Sequence, residues 1–254
     1  MPELPEVETV RRGLERLVVD KTIEQVQVRY AKMIGTGVDS FIHDLPGQTI
    51  EKIGRRGKYL LFYLTGGVLV SHLRMEGKYL FYPDAVPERK HAHVFFEMTD
   101  GGTLVYEDVR KFGTMELLRK EQLEAYFAAR KLGPEPTEAD FLLPPFAAAL
   151  SRSKKPIKPY LLEQTLVVGL GNIYVDEALW RARIHPARPA ASLKPAEVKR
   201  LREQIIEVLQ LVLCRGLFEF DDMIHNGFGC MLGSMLVGLF FQRVINGNLQ
   251  IRQK

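Results

Sequence analysis

The sequence predicts an α+β protein of two domains: one helix, then an antiparallel β-sandwich or barrel, then a helical domain. Apolar residues recur at helical spacing over 4–17. From about 22 to 115 the chain consists of short β-branched or aromatic runs separated by glycine or Asp-Gly. After 140 the apolar residues return to helical spacing. A run of strands followed by a run of helices is typical of segregated α+β folds.

The first helix places Val7, Val10, Leu14 and Leu17 on one face. The predicted strands that follow are TIEQVQVRY (22–30), KYLLFYL (58–64), GVLVSHL (67–73), HAHVFFEM (91–98) and TLVYEDV (103–109). A further helix is predicted over 121–131. The Pro-rich segment 132–140 then marks a domain boundary.

Three helices are predicted beyond this boundary, at about 156–166, 173–182 and 194–214, and the last carries apolar residues along one side. The predicted division of the chain is an N-terminal β domain (1–131), a linker (132–150), a helical domain (151–215) and an atypical tail (216–254).

Composition limits the possible classes of protein. Hydrophobic residues make up 46% of the 254 residues, enough for a substantial core. Basic residues number 35 against 31 acidic ones, so the net charge of +4 permits a polyanionic partner without requiring one. Two cysteines, no signal-peptide pattern and no apolar run long enough to span a bilayer predict an intracellular, cytoplasmic protein.

The N-terminal stretch MPELPEVETV can be interpreted in two ways. Proline and acidic residues suit an ordinary helix start. Alternatively, removal of Met1 before the small Pro2 exposes a secondary amine beside Glu3 and Glu6. An α-amino group has a reference pKa of about 8, against about 10.4 for lysine, so part of it is neutral and nucleophilic at pH 7. Such an amine can attack a sugar carbon and form an iminium ion, with a carboxylate moving the protons.

Two glycine-rich turns combine apolar and basic residues. SHLRMEGKY (71–79) places Met75 between Arg74 and Lys78, and EDVRKFGTM (107–115) places Phe112 after Arg110 and Lys111. Apolar wedges flanked by cations are typical of proteins that unstack a duplex and fill the gap left by a flipped base. A purely structural role for each turn remains the alternative.

Three more segments suggest phosphate contacts. GRRGKYL (54–60) surrounds a turn with basic residues, and could equally be a solvated hairpin. SRSKKPIKPYLL (151–162) contains four cations and no acid. In VVGLGNIYVDEALW, Gly171 and Asn172 would present backbone amides at a helix N-terminus, or would simply cap the helix.

Taken together, these segments resemble the formamidopyrimidine-DNA glycosylase family of bacterial base-excision repair enzymes. The matching stretches are PELPEVET, RRGKYL, SHLRMEG, DVRKFGT, LGPEP and QTLVVGLGNIYVDEALW, in family order over about residues 2–190. The resemblance implies a β-sandwich, a helix-two-turn-helix motif in the helical domain, excision of 8-oxoguanine and formamidopyrimidines, and strand cleavage by β,δ-elimination.

The resemblance also implies roles for particular residues. Pro2 would be the nucleophile at the sugar C1′, Glu3 the general acid/base and Glu6 a supporting carboxylate, while Lys58 would reach the lesion or its phosphate. The implied DNA contacts are His72, Arg110, Lys158, Gly171 and Asn172. The residues that would fill the void left by the flipped base are Met75, Arg110 and Phe112.

The implied partner is double-stranded DNA that contains oxidised bases or abasic sites. The protein is expected to act as a monomer near the nucleoid, with no membrane partner. The family holds one structural zinc through four cysteines, and this chain has only Cys214 and Cys230, so no cofactor and no metal site are predicted. A metal shared with His225, or a zincless hairpin using Arg243, is not favoured.

Two other functions compete with a glycosylase. Because the family's zinc finger is not recognisable, the chain could be a catalytically weak DNA-binding relative. An interaction protein with no DNA role would leave both wedge turns unexplained. Only an enzyme requires a processed Pro2 that forms a covalent adduct.

Overall fold

The computed structural model describes residues 1–215, with side chains described as far as residue 210. It confirms the α+β class: helices flank two antiparallel sheets. The helices are α1 (Leu4–Val18), α2 (Val38–Asp44), α3 (Gln122–Ala129), α4 (Leu143–Ser151), α5 (Ile157–Leu162), α6 (Asn172–Ala182) and α7 (Pro195–Arg215). The strands are β1 (Ile23–Val28), β2 (Ile50–Arg56), β3 (Tyr59–Leu64), β4 (Val68–His72), β5 (Lys78–Tyr82), β6 (Ala92–Met98), β7 (Thr103–Glu107) and β8 (Thr114–Leu118). Short 3-10 turns lie at Ala31–Met33 and Ala190–Ser192.

The strands form a sandwich rather than a barrel. One sheet has the order β1-β6-β7-β5 and the other β2-β3-β4-β8, and every strand pairing is antiparallel. The two sheets share one core, to which Phe96 and Tyr106 come from the first sheet and Phe62 and Leu69 from the second. Helix α1 buries its apolar face, including Val7, in the same core.

Burial explains which strands the sequence predicts. The central strands β3, β4, β6 and β7 are apolar on both faces, because small clusters cover their outer sides. These four are predicted as continuous apolar runs. The edge strands β5 and β8 are only partly buried and are not predicted, and β2 is implied only by the turn that follows it. An edge strand has a neighbour on one side only, so its hydrophobic pattern is weaker.

The helical part differs from the prediction in two places. Helix α5 ends at Leu162 instead of near 166, because Gln164 adopts a left-handed φ of 63° that a helix cannot continue. Helix α4 occupies part of the segment predicted as a linker, and prolines in its first turn suit a helix start. The domain boundaries stay a prediction. None of the helices in the described part of the chain is long and apolar enough to cross a membrane.

Backbone hydrogen bonds join the start of α1 to the helical part. Leu4 N–H donates to Gly169 O at 3.0 Å, and Val168 N–H donates to Pro134 O at 3.0 Å. Gly133 N–H donates to Gln164 O at 2.8 Å. The segment 163–171 is therefore held against both α1 and the 133–134 segment, and this junction positions the candidate site.

Candidate active site

The Glu3 carboxylate caps helix α6. It accepts hydrogen bonds from the backbone N–H groups of Gly171 at 2.6 Å, Ile173 at 2.9 Å and Tyr174 at 3.2 Å. Only 3% of Glu3 is exposed. A carboxylate is well placed here because the unpaired N–H groups and the dipole of α6 both favour negative charge. A side chain at position 171 would not fit, since a Cβ on Gly171 would overlap the Glu3 carboxylate.

Glu6 ties the same two helices together. Its Oε2 accepts the Glu3 backbone N–H at 2.8 Å, and its Oε1 accepts the Tyr174 hydroxyl at 2.6 Å. Pro2, which is half-buried, directly precedes this joint. The nitrogen of Pro2 therefore lies one residue from a buried carboxylate that is fixed by three donors.

Lys58 approaches the pair from the two-residue turn between β2 and β3. It is buried, and burial lowers its pKa to about 8, although the charge of Glu3 and, more weakly, that of Glu6 act to raise it. The positive charge of Arg74 lowers the Lys58 pKa further. This cation thus lies within the electrostatic reach of both carboxylates.

Arg55 and Arg56 hold that turn in place rather than standing ready for a phosphate. Their guanidinium groups donate to the Glu135 carboxylate at 2.8 Å and 2.9 Å, and Glu135 also accepts the Gly57 N–H at 2.6 Å. Arg55 donates in addition to Glu8 at 3.1 Å. Of the two interpretations of this basic hairpin, the structure therefore favours a structural role.

His72, at the end of β4, is buried and neutral. Burial lowers its pKa to about 3, helped by the charges of Arg74 and Lys58. Its Nδ1 accepts the Arg74 N–H at 3.0 Å, so the proton of the neutral ring is on Nε2. The ring also packs edge-on against Tyr59, with centroids 4.6 Å apart. Nε2–H is thus available as an uncharged donor.

The two predicted wedges are exposed, as their turns suggested. Met75 is 37% exposed and Phe112 is 52% exposed. Each follows a cation with a left-handed backbone, Arg74 with φ 55° and Lys111 with φ 60°. That conformation costs roughly 1 kcal/mol or more for a non-glycine residue. In each turn, a residue with a strained backbone therefore directly precedes the exposed apolar side chain.

Asp108, fully buried, shapes the Phe112 turn. Its carboxylate accepts the N–H groups of Arg110 at 3.0 Å, Phe112 at 2.9 Å and Gly113 at 2.8 Å. His93 Nε2 bonds to the Asp108 carbonyl at 2.8 Å. The Arg110 guanidinium lies 4.9 Å from the centre of the Phe112 ring, a cation–π arrangement.

At the start of α6, the hydrogen bond made by Gly171 differs from the one expected from the sequence. Its N–H, expected to face a phosphate, is bonded to Glu3 instead. Asn172 is exposed at the same helix end. Lys158 is partly exposed, and its ammonium pairs with the Asp176 carboxylate at 2.8 Å. On the same helix, the Glu177 carboxylate pairs with Arg181 at 2.6 Å.

Family comparisons agree with this architecture. A family model described as the formamidopyrimidine-DNA glycosylase N-terminal domain matches residues 1–115, and one described as the H2TH domain of the same enzyme matches residues 132–218. A formamidopyrimidine-DNA glycosylase of Streptococcus pneumoniae (strain ATCC BAA-255 / R6) is 64% identical over 216 residues, which are 85% of this chain and 79% of that protein. The chain belongs to the formamidopyrimidine-DNA glycosylase family.

Other members of this family show the same similarity. A formamidopyrimidine-DNA glycosylase of Streptococcus thermophilus (strain ATCC BAA-250 / LMG 18311) is 59% identical over 216 residues, 85% of this chain and 79% of that protein. The Lactococcus lactis enzyme, solved non-covalently bound to DNA that contains an AP site, aligns with a TM-score of 0.82 and 49% identity. That alignment covers 84% of this chain and 82% of the other. The family's helix-two-turn-helix region is confirmed by the second family match.

Several residues that build this site are not among those predicted from the sequence. They are Asp108, Glu135, Gln164 and Tyr174. Asp108 carries a local signal, because an aspartate before a turn often binds backbone N–H groups a few residues on. Glu135 and Tyr174 act on residues far away in the chain and give no such signal. Gln164 accepts the Gly169 N–H at 2.9 Å, which orders the turn before α6.

The zinc that the family resemblance implies does not fit this chain. Its two cysteines cannot supply four thiolate ligands. Within residues 1–215, no three His, Cys, Asp or Glu side chains that the structure describes are grouped to hold a metal ion. The interpretations of 216–254, including His225, Cys230 and Arg243, lie outside the described residues, and so does the side chain of Cys214.

Proposed function

We propose that this family member excises 8-oxoguanine and formamidopyrimidines from duplex DNA and then nicks the strand at the resulting abasic site. The observation that carries the proposal is the junction of α1 and α6. There Pro2 directly precedes a buried Glu3 carboxylate, with Glu6 and Lys58 close by. A nucleophilic amine beside a fixed proton carrier is the arrangement that covalent catalysis at a sugar carbon needs.

The proposed reaction begins when removal of Met1 frees the Pro2 nitrogen. Its lone pair attacks C1′ of the damaged nucleotide, and the bond from C1′ to the base breaks with its electron pair leaving on the base, which takes up a proton. The Glu3 carboxylate accepts the N–H proton of the attached proline. Ring opening then leaves an iminium ion at C1′, and O4′ gains a proton.

Strand cleavage follows from the iminium ion. The iminium acidifies C2′–H, and loss of that proton expels the 3′ phosphate. A second proton loss, from C4′, expels the 5′ phosphate. Water adds to the remaining iminium carbon, and loss of a proton with cleavage of the C–N bond returns the Pro2 amine and leaves an aldehyde on the sugar fragment. We assign these proton transfers to Glu3, because it directly follows Pro2 and three backbone N–H donors hold its carboxylate in place.

We assign the DNA contacts to two groups of residues. Met75 and Phe112, exposed on strained turns, would enter the base stack, with Arg110 beside Phe112 probing the orphaned base. Lys158 would bind phosphate as a cation, and this requires it to leave Asp176. The remaining predicted contacts are His72, as a neutral donor, and Asn172, whereas the Gly171 N–H is bonded to Glu3 and is not assigned to a phosphate.

We assign this activity to the cytoplasm, at the chromosome, because the proposed substrate is DNA. We assign no cofactor to the reaction, since each proton and electron pair in the steps above is carried by Pro2, Glu3, the nucleotide or water. A structural zinc held by four cysteines of this chain is ruled out by their number.

Replacing Glu3 by glutamine tests the proposal. Glu3→Gln should slow excision of 8-oxoguanine by about 100-fold or more, because it removes the proton carrier. It should also lower the free energy of unfolding by about 2 kcal/mol, since a charged cap of α6 is lost. Excision is therefore compared at a temperature where urea titration shows the variant fully folded.

Glu24→Gln is the matched control, because Glu24 is exposed on β1, away from the α1–α6 junction. It should excise within about twofold of wild type, as surface substitutions usually act weakly. Excision by folded Glu3→Gln at the control's rate would show that Glu3 does not move the proton.

A further inference from the structure

Tyr106 is a fully buried residue of β7 whose hydroxyl has no hydrogen-bond partner within the described part of the chain. Burial raises the pKa of this hydroxyl, with Tyr79 and Asp108 adding to the effect, so it stays protonated. Phenylalanine would fill the same core position without an unpaired polar atom. A buried polar group without a partner therefore calls for a role other than stability.

The hydroxyl lies between the two wedge turns. A Cβ built on Gly77 or on Gly113 would overlap the Tyr106 oxygen, so the backbone of each turn approaches it closely. Gly77 ends the Met75 turn, where its N–H bonds to Leu73 O at 3.0 Å. Gly113 ends the Phe112 turn, where its N–H bonds to Asp108. One oxygen atom thus contacts both turns at once.

The Tyr106 ring is supported from the neighbouring strand. The Tyr79 ring packs against it with centroids 5.0 Å apart, and the Tyr79 hydroxyl donates to Ser71 Oγ at 2.8 Å. Ser71 directly precedes His72 in β4. The ring position is therefore set by both sheets, and so is the position of the hydroxyl.

We infer that the Tyr106 hydroxyl is a spacer that fixes the Met75 turn relative to the Phe112 turn, so that both wedges enter the duplex together. Tyr106 is then a positioning residue, acting through the backbones of Gly77 and Gly113. The inference rests on the proposed function, since wedge insertion belongs to lesion recognition. It predicts a residue whose hydroxyl matters for DNA and not for folding.

The test compares Tyr106→Phe with Tyr126→Phe. Both remove one hydroxyl, but that of Tyr126 donates to Glu116 at 2.6 Å and lies on α3, away from both wedge turns. Thermal unfolding reports folding. Insertion is read from the fluorescence of 2-aminopurine next to a tetrahydrofuran abasic analogue in duplex DNA, and affinity from titration of the same duplex.

Tyr106→Phe should unfold at the wild-type temperature or above it, because no hydrogen bond is lost. The increase in 2-aminopurine fluorescence on binding should be clearly smaller than with wild type, because the two wedges unstack the duplex less well. The Kd for the same duplex should increase by about threefold or more. Tyr126→Phe should show the reverse, a lower unfolding temperature with wild-type insertion.

Wild-type fluorescence and affinity in Tyr106→Phe would overturn the spacer role. So would a loss of thermal stability equal to that of Tyr126→Phe, which would show that the hydroxyl is bonded. If the wild-type chain itself failed to bind the abasic duplex, the proposed function would fail first, and the spacer with it.

Discussion

Acidification should destabilise this protein through His72. The folded ring has a pKa of about 3, because it is buried and faces Arg74 and Lys58, against 6.5 for a solvated histidine. Between these values the unfolded chain binds a proton that the folded chain does not. Stability therefore rises with pH in this window and is lost as the pH falls below 6.5.

The size of the stability loss follows from the pH interval between the folded and unfolded pKa values of His72. Each pH unit below 6.5 costs roughly 1.4 kcal/mol for one fully displaced proton, so His72 alone should remove about 2 kcal/mol between pH 7 and pH 5. The substitution His72→Gln should abolish this contribution, while its side-chain oxygen can still accept the Arg74 N–H.

Urea unfolding at pH 7 and pH 5, for wild type and His72→Gln, measures the effect. Other groups titrate in both proteins. The contribution of His72 is therefore the pH 7 to pH 5 change in the free energy of unfolding of wild type minus the same change in His72→Gln. Wild type should lose about 2 kcal/mol more than the variant. Equal losses of stability in the two proteins would show that His72 titrates normally in the folded state.

Three further predictions concern DNA. Gly171→Ala should strongly reduce strand nicking, because the new Cβ displaces the Glu3 carboxylate. Affinity for the lesion duplex should stay near wild type, because Met75 and Phe112 are not affected. Equal losses of nicking and affinity would contradict this prediction. In a plot of log K for DNA binding against log salt concentration, Lys158→Gln should reduce the magnitude of the slope by about 0.9, because a cation on a phosphate releases a counterion. His72→Gln should leave the slope unchanged, because the His72 ring is neutral. A changed slope in His72→Gln would show that the ring is charged. Wild-type duplex affinity should decrease as the pH rises past about 8, where Lys58 loses its proton; a Lys58→Gln variant with the same decrease would exclude Lys58 as its source.

Local patterns carry much of this fold. Helix α1 follows from its apolar spacing, and the central strands follow from continuous apolar runs that are buried on both faces. The edge strand β5 is partly buried and lacks such a run. Its first two residues also lie in SHLRMEGKY (71–79), which the sequence predicts to be a DNA-wedge turn because of Met75. A continuous apolar run therefore predicts a strand that is buried on both faces, and this signal is weaker in the partly buried edge strand β5.

The candidate site is predictable only in part, because its decisive contacts are distant in sequence. The Glu3 carboxylate meets Gly171 across 168 positions, so no local pattern could show that the helix N-terminus already holds an anion. Glu135 likewise binds the turn at Gly57 from 78 positions away. The exposure of Met75 and Phe112 could be predicted, because each turn has glycine and charge around one apolar residue.

The proposed mechanism requires Pro2 to form a covalent bond to the damaged nucleotide. Borohydride reduces an iminium ion to a stable amine, so it should trap the chain on a duplex with 8-oxoguanine opposite cytosine and on an abasic duplex. We expect a cross-link on both duplexes, mapped to Pro2 by mass spectrometry. In Pro2→Gly the cross-link should be impaired although that variant still binds the lesion duplex. Absence of any adduct from protein shown to lack Met1, or an adduct mapped to Lys58, would contradict this mechanism.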